Sequence, residues 1–232
     1  MDDQPKTVSA RAIIRLLALV VLVPLLPLLI SWRWDWWEAW VYAIIFILGF
    51  AVSRGLAARR HPDLIAERVR FTHHENDKPW DRRLVAWVAL GLVLIPLVAG
   101  LDARFGWSGP FTLPAKVLSL ILILAGYAWG TYALLENRFF SAIVRIQTER
   151  GHQVVSTGPY RWMRHPGYAG TLLASLATPV LLDSRWAFLP AVFLTAVLVL
   201  RTALEDRTLQ QELPSYADYA KRVRHRLLPG VW

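Results

Sequence analysis

The chain has 232 residues, 55% of them hydrophobic, with 12 tryptophans, no cysteine and a formal net charge of +9. That balance excludes an ordinary soluble globule, and the missing cysteines exclude disulfides, thiolate nucleophiles and cysteine-based metal sites. The excess of positive charge raises nucleic acid as a partner, but its placement along the chain argues otherwise.

Residues 1–10 are polar and are expected to form a disordered cytoplasmic tail. A bilayer span takes roughly 20 mostly apolar residues. Candidate spans are Arg11–Ser31, Glu38–Leu56, Leu84–Leu101, Lys116–Leu135, Tyr168–Leu182 and Trp186–Leu204. The expected fold class is all-α: a polytopic transmembrane helical bundle of about six spans, or five if one is re-entrant. The first span is followed by Ser31-Trp32-Arg33-Trp34, which lacks a small-residue cleavage pattern, so it is expected to stay as an anchor. The run from Trp32 to Trp40 looks like a functional motif. Because Trp favours the headgroup level, an aromatic belt at the outer interface is the preferred reading. Pro24, Pro27 and Pro96 fall inside spans, where neighbouring helices can satisfy the freed carbonyls. Gly126 and Gly130 form a small-xxx-small face suited to close helix packing. The fifth span is short, and Leu182-Asp183-Ser184-Arg185 reads as a tight hairpin into the sixth.

The basic residues alternate between links. The link after span two carries Arg54, Arg59, Arg60, Arg68, Arg70, Lys78, Arg82 and Arg83, and the link after span four carries Arg138, Arg145, Arg150, Arg161 and Arg164. The tail adds Lys221, Arg222, Arg224 and Arg226, whereas the alternate links hold only Arg33, Arg104 and Arg185. This is the positive-inside pattern, and it places both termini in the cytoplasm. It also explains the basic face by topology and anionic lipid headgroups, with no nucleic acid required. His73-His74-Glu75 and Asp77 are potential metal ligands, but adjacent histidines do not share a helix face and no second pair has the usual spacing. A solvated loop or interfacial helix is expected there, and no metal.

The most informative stretch is Gly158-Pro-Tyr-Arg-Trp-Met-Arg-His-Pro-Gly-Tyr-Ala-Gly170. It sets Arg161, Arg164 and His165 at the edge of a span, where polar side chains are costly unless they bind something. Pro166 can open a helix, because its missing N–H costs little in the first turn. Gln147 and His152 lie just upstream. Arg201 and Glu205 lie four apart on one face at the inner end of the last span, either as an ordinary ion pair or as functional groups. Beyond them a charged helix runs to about Ala220, broken at Pro214.

In order and spacing, Gln147, His152-Gln153-Val154-Val155, Gly158-Pro159-Tyr160 and Arg164-His165-Pro166-Gly167-Tyr168-Ala169-Gly170 resemble the isoprenylcysteine carboxyl methyltransferase family. The related phospholipid methyltransferases share much of this pattern. Arg201-Thr202-Ala203-Leu204-Glu205-Asp206 with Leu209 is similar to the family's Arg-xxx-Glu-acidic-xx-Leu signature, and Tyr216, Tyr219, Arg222-Val223 and Pro229 fit its closing segment. The resemblance covers about residues 136–232, against apolar helices over 11–135. It implies an integral membrane, S-adenosylmethionine-dependent methyltransferase acting on a lipophilic or lipidated acceptor drawn from the bilayer. Gln147, His152, Gln153, Val154, Val155, Tyr160, His165, Pro166, Gly167 and Tyr168 would hold the cofactor, and Arg201 and Glu205 would face the acceptor. The chain departs from the pattern at Asp206, where relatives often have Glu, which leaves that residue's role open.

General chemistry supports such roles. Positioning supplies much of the rate of a displacement, aromatic faces such as Tyr160 and Tyr168 suit a sulfonium, and Arg201 could hold a carboxylate in bidentate geometry. A carboxylate acceptor needs no base, whereas an amine would need one, with Glu205 the candidate. Two other readings compete: an NADPH-dependent membrane reductase of the sterol type, and a non-catalytic lipid-binding protein.

Overall fold

The structure, a computed structural model, describes residues 10–64 and 77–232, with side chains from residue 17 onward. The first nine residues, Arg68, Arg70 and the His73-His74-Glu75 run lie outside the described residues. Within them the long apolar runs are helical and no strand occurs.

Helix α1 spans Ala10–Ser31, α2 Trp37–Arg60, α3 Pro79–Phe105, α4 Leu113–Glu136, α5 Pro166–Leu181 and α6 Phe188–Glu212. Proline in the first turn opens α3, α4 and α5, as its fixed φ and missing donor allow. Helix α3 closes on Gly106 at φ 66°, the left-handed cap that glycine adopts freely. Pro24 and Pro27 sit within α1 and Pro96 within α3. Helix α6 stops before Pro214, the chain turns at Ser215 with φ 65°, and a short α7 follows at Tyr216–Arg222.

All six expected spans are therefore helical. Four of them, α2, α3, α4 and α6, are long and apolar enough to cross a membrane. Helix α5 has 16 residues, about 24 Å at 1.5 Å per residue, short of a hydrocarbon core of about 30 Å. In α1 the described apolar stretch is Leu17–Ser31. Large apolar side chains point outward all round the bundle, among them Leu48, Val52, Leu118, Ile121, Leu189 and Val192. Such a surface is stable in lipid and not in water. The protein is an integral membrane protein.

Helices α4 and α5 make the most extensive contact, and α1 with α3, then α3 with α6, come next. The α4–α5 crossing depends on glycine. A Cβ at Gly126 would lie 2.5 Å from the Gly170 carbonyl oxygen, and one at Gly170 would meet Gly126 O at 2.5 Å and Gly130 N at 2.9 Å. The small-residue face seen in the sequence thus meets a glycine of the motif, and the two backbones touch. Gly170→Ala is expected to cost about 1–3 kcal/mol by overpacking, read as a lowered melting midpoint in detergent. An unchanged midpoint would show that the helices can separate at no cost.

At one end of the bundle Trp32, Trp34, Trp37 and Trp40 are exposed while Trp36 is buried in the core. Phe105, Trp107 and Trp186 extend the aromatic zone through ring contacts, as a belt at a membrane interface would. Lys116 clips this end by pairing with Glu38 and with Asp183 at 2.5 Å. The opposite end gathers residues 137–165 and α7.

Candidate active site

Segment 137–165 leaves α4 and returns to α5 with only two single 3₁₀ turns, at Thr148–Arg150 and Gly158–Arg161. Several of its backbone N–H groups are satisfied by side chains and by the C-terminal tail. Gln147, fully buried, donates from Nε2 to Phe139 O at 2.8 Å and accepts from Arg150. Arg150 continues to Asp63 at 2.6 Å. The backbone N–H groups of Arg164 and His165 donate to the carbonyls of His225 and Arg226, at 3.0 and 2.9 Å. The tail is thereby laid alongside the motif.

The organising charge of this layer is Asp206, fully buried on α6. Arg164 grips it in a bidentate pair, Nε to Oδ1 at 2.6 Å and Nη2 to Oδ2 at 2.9 Å. Arg226 Nε adds 2.9 Å, Gln210 Nε2 2.8 Å and the Tyr216 hydroxyl 3.1 Å. Arg164 then donates to Val223 O at 2.6 Å and Arg224 O at 3.0 Å. The role left open for Asp206 is structural: it fastens the tail, α6 and the motif together.

A second buried pair joins the halves of the chain. Arg201 on α6 donates to Asp81 of α3, Nε to Oδ1 at 2.7 Å and Nη2 to Oδ2 at 2.8 Å, and to Ala142 O at 2.8 Å. Asp81 also accepts the Val144 N–H at 2.7 Å. Among the described residues Arg201 and Glu205 form no ion pair with each other. Glu205 instead accepts from the Tyr168 hydroxyl at 2.6 Å. Tyr168 stacks on His165 with rings 5.8 Å apart and 6° from parallel, and the Arg201 guanidinium lies 5.3 Å over its ring.

Two cavities meet at this group. The polar one, about 90 Å³, is lined by His152, Gln153, Val154, Val155, Tyr160, His165, Gly167, Tyr168, Arg201 and Glu205, with Asn137, Phe139 and Tyr216 among the others. Of the ten residues expected at a cofactor, eight line it. Gln147 and Pro166 do not: the first holds the loop and the second starts α5. The apolar cavity, about 370 Å³, lies between α2, α3, α4 and α5, with Phe46, Phe50, Leu92, Tyr127 and Leu134 on its walls. Phe140, Ser141, Gly167, Tyr168 and Arg201 line both. At Gly167 a Cβ would stand 2.6 Å from the Phe140 ring, so only glycine allows that partition.

The polar cavity holds groups in defined protonation states. His165 Nε2 is buried, 3.5 Å from Asp206 Oδ1, and makes no hydrogen bond. Burial pushes the Tyr160 hydroxyl up, keeping it a neutral phenol. It accepts from Asn137 Nδ2 at 3.3 Å and donates to Ala133 O at 3.4 Å. Burial, then the nearby Arg145 and Arg150 cations, lower His152 to about 4. Its Nδ1 accepts the Gln147 N–H at 3.3 Å, so the neutral ring carries its proton on Nε2.

His152 therefore gives a pH signature. The folded group takes its proton near 4 and the unfolded chain near 6.5, so between those values the unfolded state binds more protons. Stability from this group is complete above about pH 6.5 and falls as pH drops towards 4. His152→Gln is expected to flatten the dependence of the melting midpoint across that window. An unaltered slope would mean that His152 titrates normally.

Sequence reasoning did not single out Asp81, Asn137, Phe139 or Phe140. Asp81 carried one faint signal, a lone acid beside Arg82 and Arg83 at the inner end of a span. The aromatic pair carried none.

Comparison with known proteins supports the motif reading. Residues 118–211 match the model described as the isoprenylcysteine carboxyl methyltransferase (ICMT) family. The chain is 29% identical over 155 residues to the Delta(14)-sterol reductase TM7SF2 of Mus musculus, covering 61% of this chain and 37% of that protein. It is 33% identical over 120 residues to a probable protein-S-isoprenylcysteine O-methyltransferase of Oryza sativa subsp. indica, covering 49% and 61%. It is 37% identical over 173 residues to the uncharacterized protein YpbQ of Bacillus subtilis, covering 74% and 96%. The chain thus spans less than two thirds of the first two relatives and nearly all of the third. With the motifs in place, the match across α4 to α6 and a relative aligned over almost its whole length, the chain belongs to the isoprenylcysteine carboxyl methyltransferase family.

Proposed function

We propose that the protein is an integral membrane methyltransferase that uses S-adenosylmethionine to methylate the carboxylate of a lipophilic, isoprenylcysteine-like acceptor, at the cytoplasmic membrane edge and with both termini cytoplasmic. The observation that carries this is the meeting of a polar, motif-lined cavity with an apolar cavity at membrane depth, across the wall formed by Gly167, Tyr168 and Arg201.

The donor set fits the cofactor. The rings of His152 and His165 line the cavity that would receive a ligand rich in polar atoms, and the aromatic wall of Tyr160 and Tyr168 suits a cation. When bound, S-adenosylmethionine supplies an electrophilic methyl group on a sulfonium. A cavity of about 90 Å³ is below the ~300 Å³ of ordinary ligand pockets. Binding of the whole cofactor therefore requires this cavity to widen.

The protein's own groups position and neutralise. Arg201, fixed by Asp81 and Ala142, brings positive charge to the junction of the cavities, which favours an anionic acceptor there. Glu205, held by Tyr168, lines only the polar cavity. A carboxylate arrives already deprotonated, so no base is required. The aromatic and aliphatic walls of the larger cavity, Phe46, Phe50, Leu92, Tyr127 and Leu134 among them, take the hydrocarbon.

Similarity to a sterol reductase favours a second reading, in which the polar cavity binds NADPH. Titrating the purified protein with S-adenosylmethionine and with NADPH separates them, followed by radiolabelled methyl transfer to a farnesylcysteine analogue and to membrane lipid extracts. Micromolar binding of S-adenosylmethionine with a base-labile methyl ester as product is expected. Tight NADPH binding without S-adenosylmethionine binding would overturn the proposal, and label appearing on a lipid amine would replace the acceptor.

A further inference from the structure

One cation of the apolar cavity has not been used. Arg54 lies towards the inner end of α2 and lines that cavity together with Ser53, Thr131 and Leu134. Its Nε and Nη1 are buried and have no hydrogen-bond partner. Among the described residues no carboxylate pairs with it, and its guanidinium rests 5.3 Å over the Phe50 ring one turn earlier. Two buried arginines of this layer are treated differently: Arg164 is saturated by Asp206 and tail carbonyls, and Arg201 by Asp81 and Ala142.

A half-buried arginine at the edge of a membrane span with two buried N–H groups unpaired among the described residues is costly, and such residues mark a binding function. The other arginine on this cavity already has its fork filled, so an anion entering between α2, α4 and α5 finds its open donors on Arg54. The planar fork matches a carboxylate, and a cavity of about 370 Å³ with aromatic and aliphatic walls matches a long hydrocarbon attached to it.

We propose that Arg54 is the carboxylate anchor of the acceptor site. It binds one end of a lipophilic acid, whose chain fills the apolar cavity, and turns the carboxylate towards the wall shared with the polar cavity. Arg201 is then the positive wall at the junction and Arg54 the group that captures the anion. This rests on the carboxyl-methylation reading, and it moves acceptor recognition from α6 to α2, outside the part of the chain that carries the family motifs.

The test compares N-acetyl-S-farnesylcysteine with its neutral carboxamide, bound to the purified protein in phosphatidylcholine nanodiscs so that no anionic lipid competes. A charge-assisted contact contributes about 1.5–3 kcal/mol, so the wild type is expected to prefer the acid ~10- to 100-fold. In Arg54→Gln and Arg54→Met that preference falls to about one. Carboxamide binding and S-adenosylmethionine binding stay at wild-type strength and report an intact fold. Retention of the acid preference in either variant overturns the assignment, as does its absence from the wild type. Loss of carboxamide binding in both variants also overturns it, because an anion anchor is dispensable for a neutral ligand. Failure of the enzymatic reading is seen separately: a protein that discriminates acid from amide through Arg54 but transfers no methyl group keeps the anchor and loses the activity.

Discussion

Asp206→Ala is expected to unfold the polar layer around it at a cost of about 3–5 kcal/mol, the range for removing one partner of a buried ion pair. Two arginines depend on that carboxylate, and Arg164 is itself only 7% exposed. Without Asp206 the Arg164 guanidinium keeps only backbone carbonyls, and Gln210 and Tyr216 lose their acceptor. The tail over 223–228, hydrogen-bonded to Arg164 and His165, should detach first. In detergent the melting midpoint should drop by several degrees, protease should cut near residues 215–228, and S-adenosylmethionine binding should weaken through displacement of His165. Asp206→Asn preserves shape without charge and should fall between the two. A variant that loses methyl transfer while keeping its midpoint and protease pattern would make Asp206 catalytic and refute the structural role.

Arg201→Ala is expected to lower methyl transfer by at least ~100-fold, the scale for loss of one well-placed electrostatic group, with S-adenosylmethionine affinity largely retained. The complication is Asp81, which is fully buried and would keep only the Val144 N–H as a partner. Arg201→Ala alone therefore also destabilises the α3–α6 contact. Adding Asp81→Asn removes the stranded charge and should restore the melting midpoint. Turnover should not return, because the positive charge at the cavity junction is still missing. Recovery of turnover together with stability would show that Arg201 serves the fold alone.

Much of the architecture was readable because its causes are local. A run of apolar residues long enough for a bilayer must satisfy its backbone internally, so it becomes a helix whatever its neighbours. The six expected segments accordingly agree with α1 to α6, Pro166 opens α5, and α6 breaks at Pro214. Gly126 and Gly130 announced a close helix contact, although not that Gly170 of the motif would be the partner. The candidate site was most legible where it is contiguous: His152 to Val155, with His165, Gly167 and Tyr168, lie in one stretch and line one cavity. Gln147 belongs to the same stretch but turns inward to hold the loop, since its side chain meets Phe139 O and Arg150 before it can reach the cavity.

The sequence by itself determined that this is a helical membrane protein with a polar motif at one membrane edge, because hydropathy, proline and family spacing act over a few residues at a time. Pairings between distant charges were decided by the tertiary structure alone. Arg201 and Glu205 share a helix face, yet Arg201 turns to Asp81, 120 positions away, and Glu205 to Tyr168. A buried guanidinium takes the carboxylate that can meet its fork away from water, and helix packing chooses which one that is. Among the described residues the same packing left Arg54 without any, and that could be seen only once α2, α4 and α5 had closed around it.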